Sequence, residues 1–359
     1  EKPAYRELVD KALDAERETA PFRSLVFSKP QLEDLTTLAS FQYAEHGGIM
    51  VAVDMQETQS RVRVWDLETG ALTQTIPGPT VDEGLFEPLQ LATSSDGNWA
   101  LTVHTGGRLC LWSLASEVST MLSESAFSPM IASRPFAVQM NGLFVVCSDD
   151  GHLGILDPAE ERLDQIQISE DDTTVIAVCD GSTPGVVYAL SSSGVMVEVQ
   201  IGEPESQRIV WKGTRSASCL HFSSGAGRLF VGTRKGEVLS VDPNNGSVTA
   251  SRREDSTDSV LEIASVDEGA FIVAGQPDGF MFRDGRTLEP LVYVPHKQAL
   301  PRSPRGNTLQ VLSDNEHIVF RDYAGRLTTL AFRFAFLPVV PVARLTMPVI
   351  AGIENARDS

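Results

Sequence analysis

The chain has 359 residues, a formal net charge of −19 and a sequence pI near 4.7. Such acidity repels phosphate backbones and bare anionic bilayers, which excludes nucleic acid as the expected partner. It attracts cationic protein surfaces or serves solubility alone. The length admits two ordinary domains or one large repeat fold.

Taken in chain order, residues 1–20 form the first segment. Tyr5, Leu8, Val9, Ala12 and Leu13 recur at helical spacing, with Glu7, Asp10, Lys11, Asp14 and Glu16 on the other face. The pattern predicts an amphipathic helix over 3–19, ended by Pro21. It either packs on the body of the protein or docks a partner. Ser24-Leu-Val-Phe27 then reads as a short strand, and Leu35–Phe41 as the inner strand of a first sheet.

From there a phrase repeats: apolar strand, glycine turn, apolar strand. Turn glycines fall at Gly107, Gly151, Gly194, Gly236, Gly279 and Gly325, at steps of 44, 43, 42, 43 and 46 residues. The preceding strands are Trp99–His104, Leu143–Ser148, Val186–Ser191, Leu229–Arg234, Phe271–Gln276 and His317–Asp322; the following ones start near Arg108, His152, Val195, Glu237, Phe280 and Arg326. An earlier copy, Ile49–Asp54 and Arg61–Leu67, lacks the glycine. Glycine supplies the positive φ of a tight hairpin. Several strands are apolar on both faces and need cover on both. Seven small sheets packed face to face in a ring provide it, and a period in the low forties is the mark of a propeller. The expected fold is all-β, a seven-bladed propeller over 21–336. A terminal strand, 24–27 or one from the C-terminal segment, closes the ring.

Arg61-Val-Arg-Val-Trp-Asp-Leu-Glu-Thr-Gly70 resembles the end of a WD repeat, with Trp65-Asp66 closing one strand and Glu68-Thr-Gly70 turning into the next. Ser94-Ser-Asp-Gly97 and Leu109-Cys-Leu-Trp-Ser113 are similar to other parts of that repeat. Val241-Asp-Pro-Asn-Asn-Gly246 is similar to quinoprotein-type propellers, whose members include scaffold lipoproteins. The WD resemblance implies a protein-binding scaffold.

Between the sixth and seventh units, His296 to Gly306 carries Lys297, Arg302 and Arg305, stiffened by Pro301 and Pro304. It is a solvated connection or a contact loop for an acidic segment. The extension 337–359 is apolar at first, through Leu337, Val339, Val340, Val342, Leu345, Met347, Val349 and Ile350. Across the apolar run 331–350, Pro338, Pro341 and Pro348 with Arg333 and Arg344 exclude a transmembrane helix. This tail either packs along the propeller or lies on another protein or a membrane surface.

No HExxH, GxSxG, phosphate-cradling loop or GxGxxG occurs. His46, His104, His152, His221, His296 and His317 are scattered and read as surface or turn residues. Asp149-Asp150 and Asp171-Asp172 read as turn residues rather than calcium ligands. Four tryptophans rule out a repeated tryptophan ring. Cys110, Cys147, Cys179 and Cys219 fall in four different units and read as core. That favours a reducing, cytoplasmic setting; a periplasmic or secreted one follows if a leader preceded Glu1. No catalysis, metal or cofactor is expected. The leading reading is a scaffold or accessory subunit of a larger assembly. The alternatives are a ligand-binding or enzymatic central channel, and an envelope scaffold.

Overall fold

In a computed structural model, the described residues are 22–334, excepting 36, 45–46, 58, 80–86, 106, 123–135, 138–141, 149, 169–172, 182, 204, 214–215, 254–257, 297–299 and 301–308. The expected helix at 3–19 and the extension 337–359 lie outside them. The chain divides into two compact units. One is Val26–Ala331; the other, Glu1–Leu25 with Phe332–Ser359, is described only at 22–25 and 332–334.

Seven antiparallel four-stranded sheets build a seven-bladed propeller. After β1 (Phe22–Ser28), blade one holds β2 (Ser40–Ala44), β3 (Ile49–Gln56), β4 (Gln59–Asp66) and β5 (Leu72–Pro77). Blade two holds β6 (Pro88–Thr93), β7 (Trp99–His104), β8 (Arg108–Ser113) and β9 (Val118–Met121). Blade three holds β10 (Phe136–Ala137), β11 (Phe144–Cys147), β12 (His152–Asp157) and β13 (Arg162–Gln167). Blade four holds β14 (Val175–Asp180), β15 (Val186–Ser191), β16 (Val195–Gln200) and β17 (Gln207–Lys212). Blade five holds β18 (Ala217–Ser223), β19 (Arg228–Thr233), β20 (Glu237–Val241) and β21 (Val248–Arg253). Blade six holds β22 (Glu262–Val266), β23 (Phe271–Gln276), β24 (Gly279–Asp284) and β25 (Pro290–Pro295). Blade seven orders β1 outside β28 (Leu327–Phe334), then β27 (His317–Arg321) and β26 (Leu309–Val311). The N-terminal strand therefore closes the ring. In every blade the strands run a to d from the inside outward.

One expected strand is displaced. The inner strand of blade one is Ser40–Ala44, not Leu35–Phe41. Leu38 N donates to Gly325 O of blade seven, so the backbone at Leu38 is committed to the neighbouring blade, and pairing with blade one begins only at Ala39, whose N donates to Val53 O. The missing glycine of blade one is replaced by Glu57 at φ 55°.

The middle strands are covered on both faces, as their composition requires. β15 is buried at all six positions, and Trp65, Trp112, Tyr188, Phe144 and Phe230 are among the largest fully buried side chains. The four cysteines sit in four separate hydrophobic clusters. Burial pushes the Cys110 and Cys219 thiols up to about 12.

Turn chemistry recurs where strand c meets strand d. Asp66 Oδ1 accepts from Thr69 N and Oγ1; Asp284 Oδ1 accepts from Thr287 N and Oγ1. Asp157 Oδ1 and Asp242 Oδ1 cap the same turn from Ala159 N and Asn244 N. Four residues after each of these carboxylates the backbone turns left-handed, at Gly70, Leu288, Glu161 and Gly246. Arg283-Asp284 thus stands in blade six where Trp65-Asp66 stands in blade one. Gly246 has a second constraint, because a Cβ there would overlap the Val210 carbonyl oxygen of blade four. Gly246→Ala should cost about 2 kcal/mol or more, and Gly227→Ala, at φ 61° but in open space, about 1 kcal/mol. Chemical denaturation of both variants checks the difference; equal losses would contradict it.

Candidate interaction surfaces

None of the partner-binding residues read from the sequence can be placed. Lys297, Arg302 and Arg305, and Leu337, Val339, Val340, Val342, Leu345, Met347, Val349 and Ile350, lie outside the described residues. Two neighbours of the basic residues are described. His296 meets Phe27 at a tilt and Phe320 edge to face, with ring centroids 4.8 and 5.1 Å apart. Leu300 is 1 % exposed and packs against Gly275.

The structure instead assembles polar groups that no local motif announces. His104, expected at the surface, is fully buried at the end of β7. Its Nε2 lies 2.7 Å from Thr102 Oγ1, which also accepts the Trp112 indole N–H at 2.8 Å. The only tryptophan-to-threonine link of this kind found among the described residues thus lies in blade two, the clearest copy of the repeat.

Inner strands are stitched to one another around the channel. Gln310 of blade seven accepts from Tyr43 N and donates to Tyr43 O of blade one, both at 2.9 Å. Gln42 of blade one accepts from Thr93 N of blade two at 2.9 Å. His221 Nε2 of blade five meets Ser265 Oγ of blade six at 2.9 Å, and the Phe222 N–H of blade five bonds to Cys179 of blade four. Gln310, Gln42, Cys179 and His221 occupy equivalent positions, opposite Val319, Val51, Tyr188 and Phe230. In blade three that position is Phe136, opposite Val145. Asp180, at the matching receiving position of blade four, has no hydrogen bond to its carboxylate among the described residues. Burial pushes its pKa up to about 7.

A buried ion cluster ties the segment after β1 to blade one. Asp54 and Arg63 are each 3 % exposed, with Arg63 Nη2 2.6 Å and Arg61 Nε 2.6 Å from the Asp54 carboxylate. Arg63 Nη1 donates to Asp34 O, and the guanidinium lies 4.8 Å over the Trp65 ring. Burial, reinforced by the Arg61 charge, lowers the Arg63 pKa against the pull of Asp54.

Among the described residues no three His, Cys, Asp or Glu side chains converge on a metal position, and no helix is long and apolar enough to cross a membrane. A cleft of about 470 Å³ opens beside blade four, lined by Ser191, Ser193, Gln207, Ile209 and Lys212 among others.

No protein-family model matches the chain, and no curated protein matches it. Solved structures do. The WD40 repeats of RRP9 superpose with a TM-score of 0.67 at 14 % identity, covering 88 % of this chain and 99 % of that one. U3-55K gives 0.66 at 13 % identity, covering 85 % and 98 %. The fold is a WD40-like seven-bladed propeller.

Thr102→Val strands the buried Trp112 N–H and should cost about 1–3 kcal/mol; Thr102→Ser should cost less. Denaturation midpoints that do not distinguish the two would refute the link. For Asp180, the folded pKa stands above the roughly 3.9 of an unfolded chain. The folded state then holds a proton that the unfolded state has released, so stability falls as pH rises from about 4 through about 7. Asp180→Asn should match the parent near pH 4 and melt higher at about pH 8. Parallel Tm-against-pH curves would contradict this.

Proposed function

We propose that this chain is a non-catalytic protein-interaction scaffold, an accessory subunit of a larger assembly working in the cytoplasm. The observation that carries the reading is how charge is distributed between the two ends of the blades. In an antiparallel sheet the a–b and c–d turns share one end; the b–c turn and the link to the next blade share the other. The described a–b and c–d turns hold thirteen acidic residues and one basic residue, Arg286. Glu68, Asp96, Glu117, Glu161, Glu205, Glu268 and Glu316 are all exposed there. At the opposite end the described residues are mixed, with Lys29, Arg234, Lys235 and Arg326 standing among Glu33, Asp34, Glu57, Glu87, Asp150, Asp258, Asp278 and Asp322. A predominantly negative field over one end steers a cationic protein partner and repels nucleic acid.

The inner-strand polar groups weigh against a catalytic channel, since Gln42, Gln310, His221 and Ser265 are spent on holding blades together. Protein binding is also the common use of WD-type propellers, an argument by analogy of fold. We assign the contacts to the acidic turns, with the 296–306 loop and the 337–351 tail as additional elements.

The test is affinity capture by the full chain from its native source, in mild detergent, at low and high salt. A stoichiometric protein should be retained, and lost from a chain ending at Phe336. Reversing Glu160, Glu161, Glu203 and Glu205 to lysine should slow its association about tenfold at low salt and much less at high salt. A chain that runs alone, or capture indifferent to both changes, would sink the proposal.

A further inference from the structure

Blade five grips blade four through its c–d turn, Asp242 to Ser247, and that turn carries the pair Asn245-Gly246. Arg208 on β17 donates Nη2 to Pro243 O at 2.8 Å and Nη1 to Asn244 O at 3.0 Å. Glu198 holds the same guanidinium from the other side, 2.7 Å from Nη2. Gly246, at φ 70°, lies against the Val210 carbonyl of that strand with no room for a side chain.

Asparagine followed by glycine has a chemistry of its own. A main-chain nitrogen can attack the side-chain amide of the residue before it, and glycine puts no side chain in the way. The folded turn keeps both reacting groups engaged elsewhere. The Gly246 N–H, which would supply the nucleophile, donates to Asp242 O at 2.8 Å. The Asn245 amide is held at both ends: Oδ1 accepts from Ser247 N at 2.8 Å, and Nδ2 donates to Asp242 Oδ2 at 3.3 Å. Asn245 is exposed, so water and hydroxide reach it whenever the turn opens.

We propose that Asn245 is a deamidation site gated by the docking of this turn on blade four. In the opened turn Gly246 N gives its proton to hydroxide and bonds to Asn245 Cγ. The bond from Cγ to Nδ2 then breaks, and ammonia leaves. Water opens the resulting five-membered imide at either carbonyl: one opening gives aspartate, the other reroutes the main chain through Cγ as isoaspartate. The net reaction consumes one water and releases one ammonia. Both products put a carboxylate beside Asp242 where an amide had donated to it, so attraction becomes repulsion. Isoaspartate also adds an atom to a main chain that Arg208 and Val210 already confine. The modification therefore holds the turn off blade four and adds charge to the acidic end of the ring. It does not depend on the scaffold reading.

The test is site-resolved mass spectrometry of the full chain, kept folded in mildly alkaline buffer and sampled over days to weeks. An end-blocked peptide of residues 242–247 sets the unrestrained rate. The folded parent should deamidate at Asn245 at least about tenfold more slowly than the peptide, because only its opened turn reacts. Arg208→Ala, which removes both carbonyl contacts, should raise the rate in the folded chain about fivefold to tenfold. Arg208→Lys, which keeps the charge and loses the fork, should fall between the two and carries the test if the alanine variant does not fold. Arg252→Ala, on β21 and paired with Glu289, should change nothing. Asn244, whose successor bears a side chain, should lag behind Asn245 in every sample. Thermal melts confirm that the variants compared are folded. A folded parent reacting as fast as the peptide, or folded Arg208 variants reacting no faster than the parent, would overturn the gate. No product at Asn245 in any form would overturn the site itself.

Discussion

Closure between blades seven and one is the constraint on which the rest of the ring depends. A row of sheets with free ends exposes edge strands and apolar faces, and both invite aggregation. Here β1 supplies the outermost strand of blade seven, after which the chain must travel from the rim inward to β2. That stretch buries Leu38 in the blade-one core, with Leu32 and Leu35 packed against it, and is also held by its carbonyls. Glu33 O receives the Trp65 indole, Asp34 O receives Arg63, and Leu38 O receives Arg321. The bidentate Gln310–Tyr43 contact completes the seam on the channel side. Arg63 is buried against Asp54, and a buried pair of this kind is most damaging when only one partner is removed. Specific hydrogen bonds are concentrated at the junction that chain connectivity does not enforce.

The middle of each blade was legible in the sequence because it is local. Trp99–His104, Val186–Ser191 and Phe271–Gln276 begin and end where their apolar runs do. Their turns announce themselves through glycine. The inner strands were not legible in the same way. Phe136–Ala137 and Leu309–Val311 are too short to show a period, and Leu35–Phe41 looked like a strand because its apolar spacing suits one. Only the bond from Leu38 to Gly325 O, nearly the whole chain away, decides against it.

His104 was misread for a related reason. A histidine next to a glycine turn is ordinarily exposed, and nothing within a few residues says otherwise. Its burial depends on Thr102 and Trp112, each unremarkable alone and meaningful once β7 and β8 are paired. The stitching register is harder still, since Gln42, Cys179, His221 and Gln310 share no chemistry beyond a polar atom able to reach the next strand. The WD-type dipeptide was legible as a turn and not as a network. Asp66 and Asp284 cap the same turn whether tryptophan or arginine precedes them.

This division of labour explains why sequence likeness is so faint while the fold is plain. Ring geometry requires apolar middle strands, a left-handed residue in each turn, and some polar atom at the inner register. Many residues satisfy each demand: glycine, glutamate or leucine for the left-handed turn; glutamine, histidine or cysteine for the stitch. Turn residues beyond those positions, and beyond the capping carboxylates such as Asp66, Asp96, Asp157, Asp242, Asp284 and Asp314, are free of the fold. The exposed acids at the acidic end of the blades which neither cap a turn nor hold a left-handed position, such as Glu68, Glu203, Glu205 and Glu316, are therefore not imposed by packing, and their cost in mutual repulsion calls for a reason outside the ring. Surface chemistry that the fold neither needs nor explains is where selection by a partner would leave its mark.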